Sequence, residues 1–442
     1  MSKVDVVVVG AGLAGLTCAR ALRRVGLDVV VVDASDAPGG RVRTDEFEGF
    51  LLDRGFQVLL TAYPEATAQL DYPSLHLRRF RAGARVHTPD GWASVGDPTR
   101  DAGETLATLA APIGSLADKV RILRYRTRVR MGTHDDVLRD AGPAIGETLR
   151  SREGFSATMV NRFFRPFLGG VFLDPDLRTR HGVADWLWRL FSEGDAAVPA
   201  LGIGQLPLQL ANGLPGGALR LGRIVTAVTP TSVTLDDGQT IRARAVVLAV
   251  DQDQAATLLR QPALTRPWTA GTCLYFTAPE DPVGDAILVL NGDGRGPVNN
   301  MHSVSALQPD AAPPGETLLS ATVIGRPPAT DADLNRLAAD VRSHLGEWYG
   351  DRTRHWRLLR AYRIPQAQPE QRPRSHDAVQ RASGGGAVRL EGATQPVFVC
   401  GDYLETSSFN GAMLSGRKAA QQVMELLGGR SAASDEASRA SA

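Results

Sequence analysis

Three glycines and an aspartate near the start of the chain have the spacing of a nucleotide site. Gly10, Gly12 and Gly15 form a G-x-G-x-x-G motif, and Asp33 lies eighteen residues past the last of them. In such a motif the glycines allow a tight turn, a close approach of the backbone to a pyrophosphate and close helix–strand packing. An acid at Asp33 accepts hydrogen bonds from ribose hydroxyls and repels a 2′-phosphate. These residues predict a dinucleotide site.

Two further segments have residues suited to the same ligand. Gly39-Gly40 permits close approach of the backbone, and Arg41 can neutralise phosphate charge. Near the other end of the chain, Gly401-Asp402 follows an apolar run, and the glycine-containing segment 410–416 enters a helix. A helix N-terminus presents N–H donors and the positive end of a dipole. None of the eight histidines has a metal-binding partner at i,i+4, so no metal is predicted.

The elements that position these residues are apolar strands followed by glycine turns. Residues 6–9 are four valines, which is typical of a parallel strand buried on both faces. A helix is predicted over 16–24, and a second strand over 28–32 ends at Asp33. Similar apolar strands are predicted at 245–250 and 396–400. The pattern predicts an α/β fold, a Rossmann-type βαβ domain interleaved with a mixed α+β domain.

Because the nucleotide-type strands occur at the start, middle and end of the chain, both domains are expected to be discontinuous. The predicted segments of the dinucleotide-binding domain are 1–75, 200–262 and 383–428. Those of the substrate domain are 76–199 and 263–382. Residues 429–442 are small, polar and charged, and are expected to form a disordered tail.

Composition excludes several classes of protein. The 442 residues carry a formal net charge of +1, which argues against nucleic acid as a partner. The three cysteines are far apart and form neither a disulfide framework nor a zinc motif. With no targeting signal and no run of about 18 apolar residues, we expect a cytoplasmic protein. Only Lys3, Lys119 and Lys418 are lysines, so 46 of the 49 basic residues are arginine.

Taken together, the motifs resemble the flavin-containing amine oxidase and phytoene desaturase superfamily. Besides the segments above, the resemblance includes Gly202-Ile203-Gly204-Gln205-Leu206-Pro207 and the strand over 224–228. It spans nearly the whole chain and implies an FAD-dependent oxidoreductase. The residues that the resemblance and the motifs assign to FAD are Gly10, Ala11, Gly12, Leu13, Ala14, Gly15, Asp33, Ala34, Gly40, Arg41, Gly55, Phe56, Gln57, Val225, Gly401, Asp402, Gly411, Ala412 and Met413.

The resemblance also implies individual roles. Arg41 would contact the pyrophosphate region, Val225 the adenine edge through its backbone, and Asp402 the ribityl or phosphate portion. The segment 411–413 would approach the flavin ring, and Gln57 would lie near it or else serve only to brace its loop. The family usually has glutamate where this chain has Asp33. Cys400 ends a predicted core strand, so we interpret it as a small buried hydrophobic residue and not as the site of a covalent flavin bond. FAD is therefore expected to be non-covalent.

The scarcity of lysine separates the subclasses. Lysine-dependent amine oxidases of this superfamily hold a lysine near the flavin, whereas Lys3 and Lys119 lie outside the motifs here and Lys418 lies beyond them. Arginine cannot readily deprotonate. This favours hydride removal from a lipophilic molecule, with carbon–carbon desaturation of an isoprenoid- or carotenoid-like substrate preferred. An amine or protoporphyrinogen-like oxidase and a non-catalytic flavoprotein remain alternatives, and no catalytic residue is assigned.

Further expectations concern the surroundings of the flavin. Tyr275, Tyr362 and Phe409 are candidates for the substrate-pocket wall, with core packing as the alternative. A second dinucleotide motif is not found, so the electrons are expected to pass to a diffusible acceptor, oxygen or a quinone. The basic segment 115–131 is either a solvated surface helix or a peripheral contact with a membrane.

Overall fold

The computed structural model describes residues 4–96, 111–140, 142–373 and 386–440. Elements of the first segment are β1 (Val4–Val9), α1 (Leu13–Arg24), β2 (Val29–Val32), β3 (Thr44–Phe47), β4 (Phe50–Asp53), β5 (Leu59–Leu60), α2 (Pro64–Gln69), α3 (Tyr72–Leu75), β6 (Arg78–Arg79), β7 (Gly83–Thr88) and β8 (Gly91–Gly96). A helical segment follows, with α4 (Leu116–Val129), α5 (His134–Arg139), α6 (Ile145–Ser151), α7 (Ala157–Met159), a π-helical turn (Val160–Phe164), α8 (Arg165–Phe172) and α9 (His181–Glu193).

The next elements return to strands: β9 (Ala196–Val198), α10 (Gln205–Asn212), β10 (Leu219–Arg220), β11 (Val225–Thr229), β12 (Ser232–Leu235), β13 (Thr240–Leu248), α11 (Gln252–Leu259) and β14 (Trp268–Ala278). The last group is β15 (Leu288–Asn291), β16 (Asn300–Ser303), α12 (Val304–Leu307), β17 (Thr317–Ile324), α13 (Asp331–Tyr349), β18 (Arg357–Pro369), β19 (Gly386–Val388), β20 (Val397–Val399) and α14 (Phe409–Ala440).

The first sheet has eight strands, with β10, β2, β1, β13, β12 and β11 in that order and with β20 beside the end of β13 and β19 beside β20. Its centre is parallel: β1 pairs with β2 and with β13, and β13 pairs with β20. The valines of β1 alternate between two hydrophobic clusters, Val6 and Val8 on one face and Val7 and Val9 on the other. Both faces are therefore covered, which explains the unbroken apolar run.

The parallel pairing places three distant segments at one edge. Val9 lies opposite Leu248, and Leu248 lies opposite Val399, so the residues that follow β1, β13 and β20 all emerge at the same carboxyl end. In open α/β sheets this edge is where ligands bind. The structure confirms the predicted α/β fold with a Rossmann-type domain.

A second sheet has seven strands in the order β18, β14, β17, β16, β15, β7, β8, all antiparallel except for the pair β7–β15. Its strands come from 83–96 and 268–369, while those of the first sheet come from 4–32, 219–248 and 386–399. Helices α4 to α9 precede β9, which joins β5 and β6 in a small sheet. The division into two discontinuous domains stays a prediction.

Two helices run further than their local residue types suggest. Pro166 and Gly169-Gly170 are residue types that often end helices, yet α8 follows the π-helical turn directly and continues to Phe172. Residues 429–440, expected to be disordered, continue α14 to Ala440. This stretch is rich in alanine with several good helix formers and lacks proline. Residues 441–442 lie outside the described part of the chain.

Candidate active site

A large cavity of about 1740 Å³ lies where the two sheets and the helical segment meet. One end is lined by the loops after β1, β13 and β20, and the other by α4, α8, α9 and the second sheet. The cavity therefore connects the predicted dinucleotide groove with the predicted substrate domain.

The glycine motif fits a pyrophosphate. A Cβ on Gly12 would approach no protein atom closer than Gly39 O at 4.0 Å, so packing alone does not require glycine there. Gly40 likewise has only Gly12 Cα within 4 Å of an added Cβ, and both glycines line the cavity. Gly12 is the N-cap of α1, and no side chain caps this helix. The N–H groups of its first turn are thus available to an anion.

Gly15 does not line the cavity, and its role is packing. A Cβ there would clash with the carbonyl oxygen of Gly10, so α1 lies directly against the turn that follows β1. A Cβ on Gly416 of α14 would similarly clash with the carbonyl of Ala14. These contacts hold the end of α1 rigidly beside the cavity, as the motif predicts.

Asp33 is positioned by its neighbours. Its Oδ2 accepts from the Ala11 N–H at 2.6 Å and its Oδ1 accepts from the Ser35 N–H at 2.7 Å. A carboxylate oxygen has two lone pairs, so each can still accept from a ribose hydroxyl. Asp33 and Ala34 line the cavity, whereas Ala11 is fully buried and acts through its backbone.

Arg41 and Asp402 meet at the centre of this groove. Arg41 Nη2 donates to Asp402 Oδ1 at 2.6 Å and its Nη1 donates to the carbonyl of Ala367 at 2.9 Å. The guanidinium also lies over the Trp268 ring at 5.5 Å. A carboxylate near phosphates would repel them, so the paired arginine makes this acid compatible with an anionic ligand.

Gln57 braces the loop that continues the groove. Its Nε2 donates to the carbonyls of Arg41 at 3.0 Å and of Arg54 at 3.2 Å. Gly55, Phe56 and Gln57 all line the cavity. The hydrogen bonds show the bracing role of Gln57, and its position near the flavin ring stays a prediction.

The C-terminal motif contributes only in part. Gly401, Asp402 and Ala412 line the cavity, whereas Gly411 and Met413 do not, and the approach of the segment 411–413 to the flavin ring stays a prediction. A Cβ on Gly411 would clash with the Thr406 carbonyl, and Met413 is fully buried in the core. Ser408 Oγ already accepts from the Gly411 N–H at 3.0 Å, so that donor is taken.

Val225 and its neighbours close the nucleotide end. Val225 lines the cavity beside Arg223 and Ile224, and it pairs with Leu235 just before a register shift in β11. A shift of this kind re-aims the backbone at a strand end. Its predicted backbone contact with an adenine edge stays a prediction.

The far end of the cavity has an aromatic wall that the sequence did not reveal. We call Phe163, Phe167, Trp188 and Phe191 the aromatic wall, since all four line the cavity. The rings of Phe163 and Phe167 stack at 5.6 Å, and Phe167 lies 6.1 Å from Trp188 and 5.3 Å from Phe191. The sequence signals for such a shared surface are the i,i+4 spacing of Phe163 in the π-helical turn and Phe167 on α8, and the i,i+3 spacing of Trp188 and Phe191 on α9.

Of the three aromatic residues that the sequence proposed for the pocket wall, two line the cavity and one is buried in the core. Tyr362 and Phe409 line the cavity. Burial, together with the hydrogen bond that its hydroxyl donates to Asp45 Oδ2 at 2.9 Å, raises the pKa of Tyr362. Tyr275 does not line it; the ring is buried and its hydroxyl donates to the Asp53 carbonyl at 2.9 Å. Tyr275 is therefore core packing, the alternative considered from the sequence.

One of the three lysines, Lys119, lines the cavity. Lys119 on α4 lines the wall, and its Nζ donates to the Ala111 carbonyl at 3.2 Å. Its neighbours on the helix are the exposed Leu116 and Val120, so it belongs to the outer wall rather than to the Gly55–Gln57 loop. Lys418 instead pairs with Glu405 at 2.6 Å, and Lys3 lies outside the described residues.

The cysteines are buried thiols. Cys18, Cys273 and Cys400 are free, and burial raises the pKa of Cys273 to about 11 and that of Cys400 to about 12. Among the residues that the structure describes, no group of three or more His, Cys, Asp or Glu side chains has a metal-binding arrangement. Within the same ranges, no helix combines the length and apolar character needed to cross a membrane.

Comparison with solved structures shows the same fold. An oxidoreductase from Methanosarcina mazei superposes with a TM-score of 0.72 at 18% identity, over 95% of this chain and 100% of that one. Wild-type putrescine oxidase bound to putrescine gives a TM-score of 0.70 at 16% identity, over 96% and 99% of the two chains. Both comparisons show that this chain shares the fold of these proteins over nearly its whole length.

Sequence comparison identifies the family. The model of the flavin-containing amine oxidoreductase family matches residues 13–424, so the chain belongs to this family and is an FAD-dependent oxidoreductase. Coproporphyrinogen III oxidase of Propionibacterium freudenreichii is 27% identical over 419 residues, 78% of this chain and 77% of the relative. Hydroxyneurosporene desaturase of Rhodobacter capsulatus is 48% identical over 58 residues only, 13% of this chain and 12% of the relative.

Proposed function

We propose that this chain removes a hydride from a carbon of a large lipophilic molecule, with carbon–carbon desaturation of an isoprenoid-like substrate as the first candidate. The observation that carries the proposal is the continuity of the cavity from the glycine groove to the aromatic wall. Bound FAD supplies a two-electron acceptor that takes a hydride at N5. The protein's part is to bind and orient both ligands and to exclude water.

The groove residues support non-covalent FAD. The uncapped start of α1 suits the pyrophosphate, Asp33 suits a ribose, and the Arg41–Asp402 pair balances charge between them. Cys400 is a neutral buried thiol that does not line the cavity. Acid precipitation of the purified protein should release all yellow colour into the supernatant; colour retained in the pellet would contradict this part of the proposal.

The aromatic wall supports a lipophilic substrate. Trp188 stacks on the buried Tyr125 at 5.5 Å, and Tyr125 donates to Asp185 Oδ1 at 2.6 Å, so the indole is held by packing rather than by the ligand. A preorganised apolar surface lowers the entropic cost of binding a long or flat molecule.

A second candidate is oxidation of a porphyrinogen-like ring. Two observations favour it: the match to a coproporphyrinogen oxidase over 78% of this chain, and the cations Arg81, Lys119 and Arg126 along the outer cavity wall. Carboxylate-bearing rings would be attracted by such charges. The amine alternative lacks a lysine at the Gly55–Gln57 loop and is the weakest of the three.

Anaerobic flavin bleaching tests these candidates. Purified holoenzyme is mixed with acyclic isoprenoids, with porphyrinogens and with primary amines, and loss of flavin absorbance is followed together with the product mass. A product two hydrogens lighter from an isoprenoid supports the first candidate, and bleaching by porphyrinogens alone would replace it with the second. If none of the three compound classes bleaches the flavin, a flavoprotein without turnover would be favoured.

The electron acceptor is proposed to be oxygen or a quinone. Stopped-flow mixing of reduced enzyme with each acceptor measures reoxidation directly. Rapid flavin reduction by NADPH in the absence of substrate would contradict a diffusible acceptor as the sole partner of the reduced enzyme.

We also propose that the exposed face of α4 contacts a membrane surface, through which a lipophilic substrate enters. Leu116, Val120 and Leu123 are 68%, 66% and 47% exposed, and all three line the cavity. Their i,i+4,i+7 spacing places them on one helix face. Arg124 and Arg130 are exposed on the same segment and suit anionic headgroups.

A further inference from the structure

Two polar side chains of the second sheet line the cavity and each has a buried atom without a hydrogen-bond partner. Asn300 on β16 and Thr322 on β17 line the cavity and are 2% and 7% exposed. Asn300 Nδ2 and Thr322 Oγ1 have no hydrogen-bond partner. A buried donor left unpaired is unfavourable, and such groups in native proteins usually meet water, an ion or a ligand.

The two residues are neighbours and belong to one site. Asn300 and Thr322 lie directly opposite each other in the antiparallel pair β16–β17. Side chains of directly opposed residues share a face of the sheet, with Cβ atoms about 5 Å apart. On the other side, Thr322 lies opposite Cys273 of β14, which also lines the cavity.

The orientation of the Asn300 amide is determined by a chain of hydrogen bonds. Asn299 Nδ2 donates to the Pro166 carbonyl at 2.9 Å and to Asn300 Oδ1 at 2.9 Å. A backbone carbonyl only accepts, so the Asn299 atom at this place must be the nitrogen, and the Asn300 atom beside it must be the oxygen. Asn300 Nδ2 is therefore the amide nitrogen, and its N–H groups have no acceptor. Pro166, next to Phe167, links this donor to the helix that carries the aromatic wall.

We propose that Asn300 and Thr322 form a polar subsite for a carbonyl or hydroxyl oxygen carried by an otherwise lipophilic substrate. The inference rests on the proposed function, since it places one oxygen on the molecule that the cavity binds. An amide N–H donor and a hydroxyl satisfy an acceptor oxygen, whereas a plain hydrocarbon leaves both groups unpaired. A protonated amine carries only N–H donors, so it would leave the Asn300 amide N–H without an acceptor.

A matched series of C12 compounds tests the subsite without turnover. Dodecane, dodecan-2-one, dodecan-1-ol and dodecylamine are titrated in detergent into the holoenzyme, and binding is read from tryptophan fluorescence and from the flavin spectrum. We expect the ketone and the alcohol to bind about tenfold more tightly than dodecane, the effect of one or two hydrogen bonds.

Two near-isosteric variants remove the subsite. In T322V and N300D the advantage of ketone and alcohol over dodecane should disappear, while the affinity for dodecane stays within about twofold. N300D should bind dodecylamine more tightly than the wild type, because an acceptor replaces the donor. S320A is the matched control: Ser320 is buried on the same strand, its hydroxyl lies 3.4 Å from Cys273 Sγ, and it does not line the cavity.

The outcomes distinguish failure of the polar subsite from failure of the proposed function. Equal binding of all four compounds by the wild type, or an oxygen preference that survives in T322V, overturns the subsite and leaves the lipophilic cavity standing. No binding of any C12 compound contradicts the proposed function and the subsite with it. Flavin content and melting temperature are measured for each variant, and if N300D does not fold, T322V alone decides.

Discussion

Arg41 and Asp402 are 361 residues apart in the chain, and their side chains form an ion pair of 2.6 Å in the centre of the cofactor groove. The sequence assigned both residues to the same ligand, one to its pyrophosphate and one to its ribityl or phosphate portion, but did not predict that they contact each other. Asp402 is almost fully buried, so its charge needs a close partner.

R41A should weaken FAD binding more than it weakens the fold. The substitution removes a cation facing the phosphates and leaves the Asp402 carboxylate uncompensated beside them. Loss of a charged hydrogen bond costs about 1.5–3 kcal/mol, so the Kd for FAD should rise roughly 10- to 100-fold. Titration of apoprotein with FAD measures this. R23A is the control, because Arg23 pairs with Asp28 on the surface of the same domain; an equal loss in both variants would contradict the assignment.

G12A should mainly weaken FAD binding, whereas G15A should mainly lower the stability of the fold. A Cβ at position 12 would approach no protein atom closer than Gly39 O at 4.0 Å, and the backbone there is extended. G12A apoprotein should therefore melt within about 2 °C of the wild type yet bind FAD at least tenfold more weakly. G15A should lower the melting temperature strongly, because its Cβ would overlap the Gly10 carbonyl.

G216A serves as the reference for both glycine variants, since an added Cβ there has open space. It should leave the melting temperature and FAD affinity unchanged. If G12A retained wild-type affinity for FAD, the pyrophosphate would have to bind elsewhere.

Asp53 should make stability fall as pH rises. Burial raises its pKa from 3.8 to about 6, even though its Oδ1 accepts from Thr44 Oγ1 at 2.6 Å and from the Ile203 N–H at 2.9 Å. Because the folded pKa exceeds the unfolded one, the stabilising contribution is complete below about pH 4 and is lost as pH rises through 6.

D53N tests this, since the amide oxygen can keep both hydrogen bonds without a charge. The difference in melting temperature, variant minus wild type, should increase between pH 4.5 and pH 8. Asp340 is exposed on α13, and D340N should show no such trend. A constant difference across this range would mean that Asp53 does not titrate in it.

The α4 face should determine membrane contact. In flotation with vesicles that contain anionic lipid, the wild type should rise with the vesicles and the triple variant L116S/V120S/L123S should stay at the bottom, because the variant loses the apolar surface that would be buried. V25S is the matched control, since Val25 is exposed elsewhere. If the wild type floats with neither anionic nor neutral vesicles, the proposed membrane contact of α4 is wrong.

W188A should weaken binding of lipophilic ligands while FAD stays bound. The indole belongs to the aromatic wall and is held by stacking on Tyr125, so its removal leaves a gap on the substrate side alone. Burial of such a ring contributes roughly 2 kcal/mol, or about a 30-fold change in Kd for dodecane. An unchanged Kd for dodecane would place the ligand elsewhere in the cavity.

Local patterns were sufficient to predict the start of the site. The valine run of β1, the three glycines and Asp33 lie within 33 residues, and each has a conformational or packing role that short-range chemistry determines. At 411–413 the sequence does not show that Ser408 Oγ accepts from the Gly411 N–H or that Met413 is buried in the core. At Pro166 a π-helical turn, which no local propensity predicts, allowed the helix to continue.

The sequence by itself determined the family, the α/β fold and the dinucleotide groove, since these depend on contiguous motifs whose residues act through backbone geometry. Only the tertiary structure decided what surrounds the substrate. The aromatic wall joins α8 to α9, and the unpaired groups of Asn300 and Thr322 face each other across two strands. Lys119 likewise reaches the cavity because α4 packs beside it. Such contacts depend on which faces of distant elements meet, and that information is not carried by any single stretch of the chain.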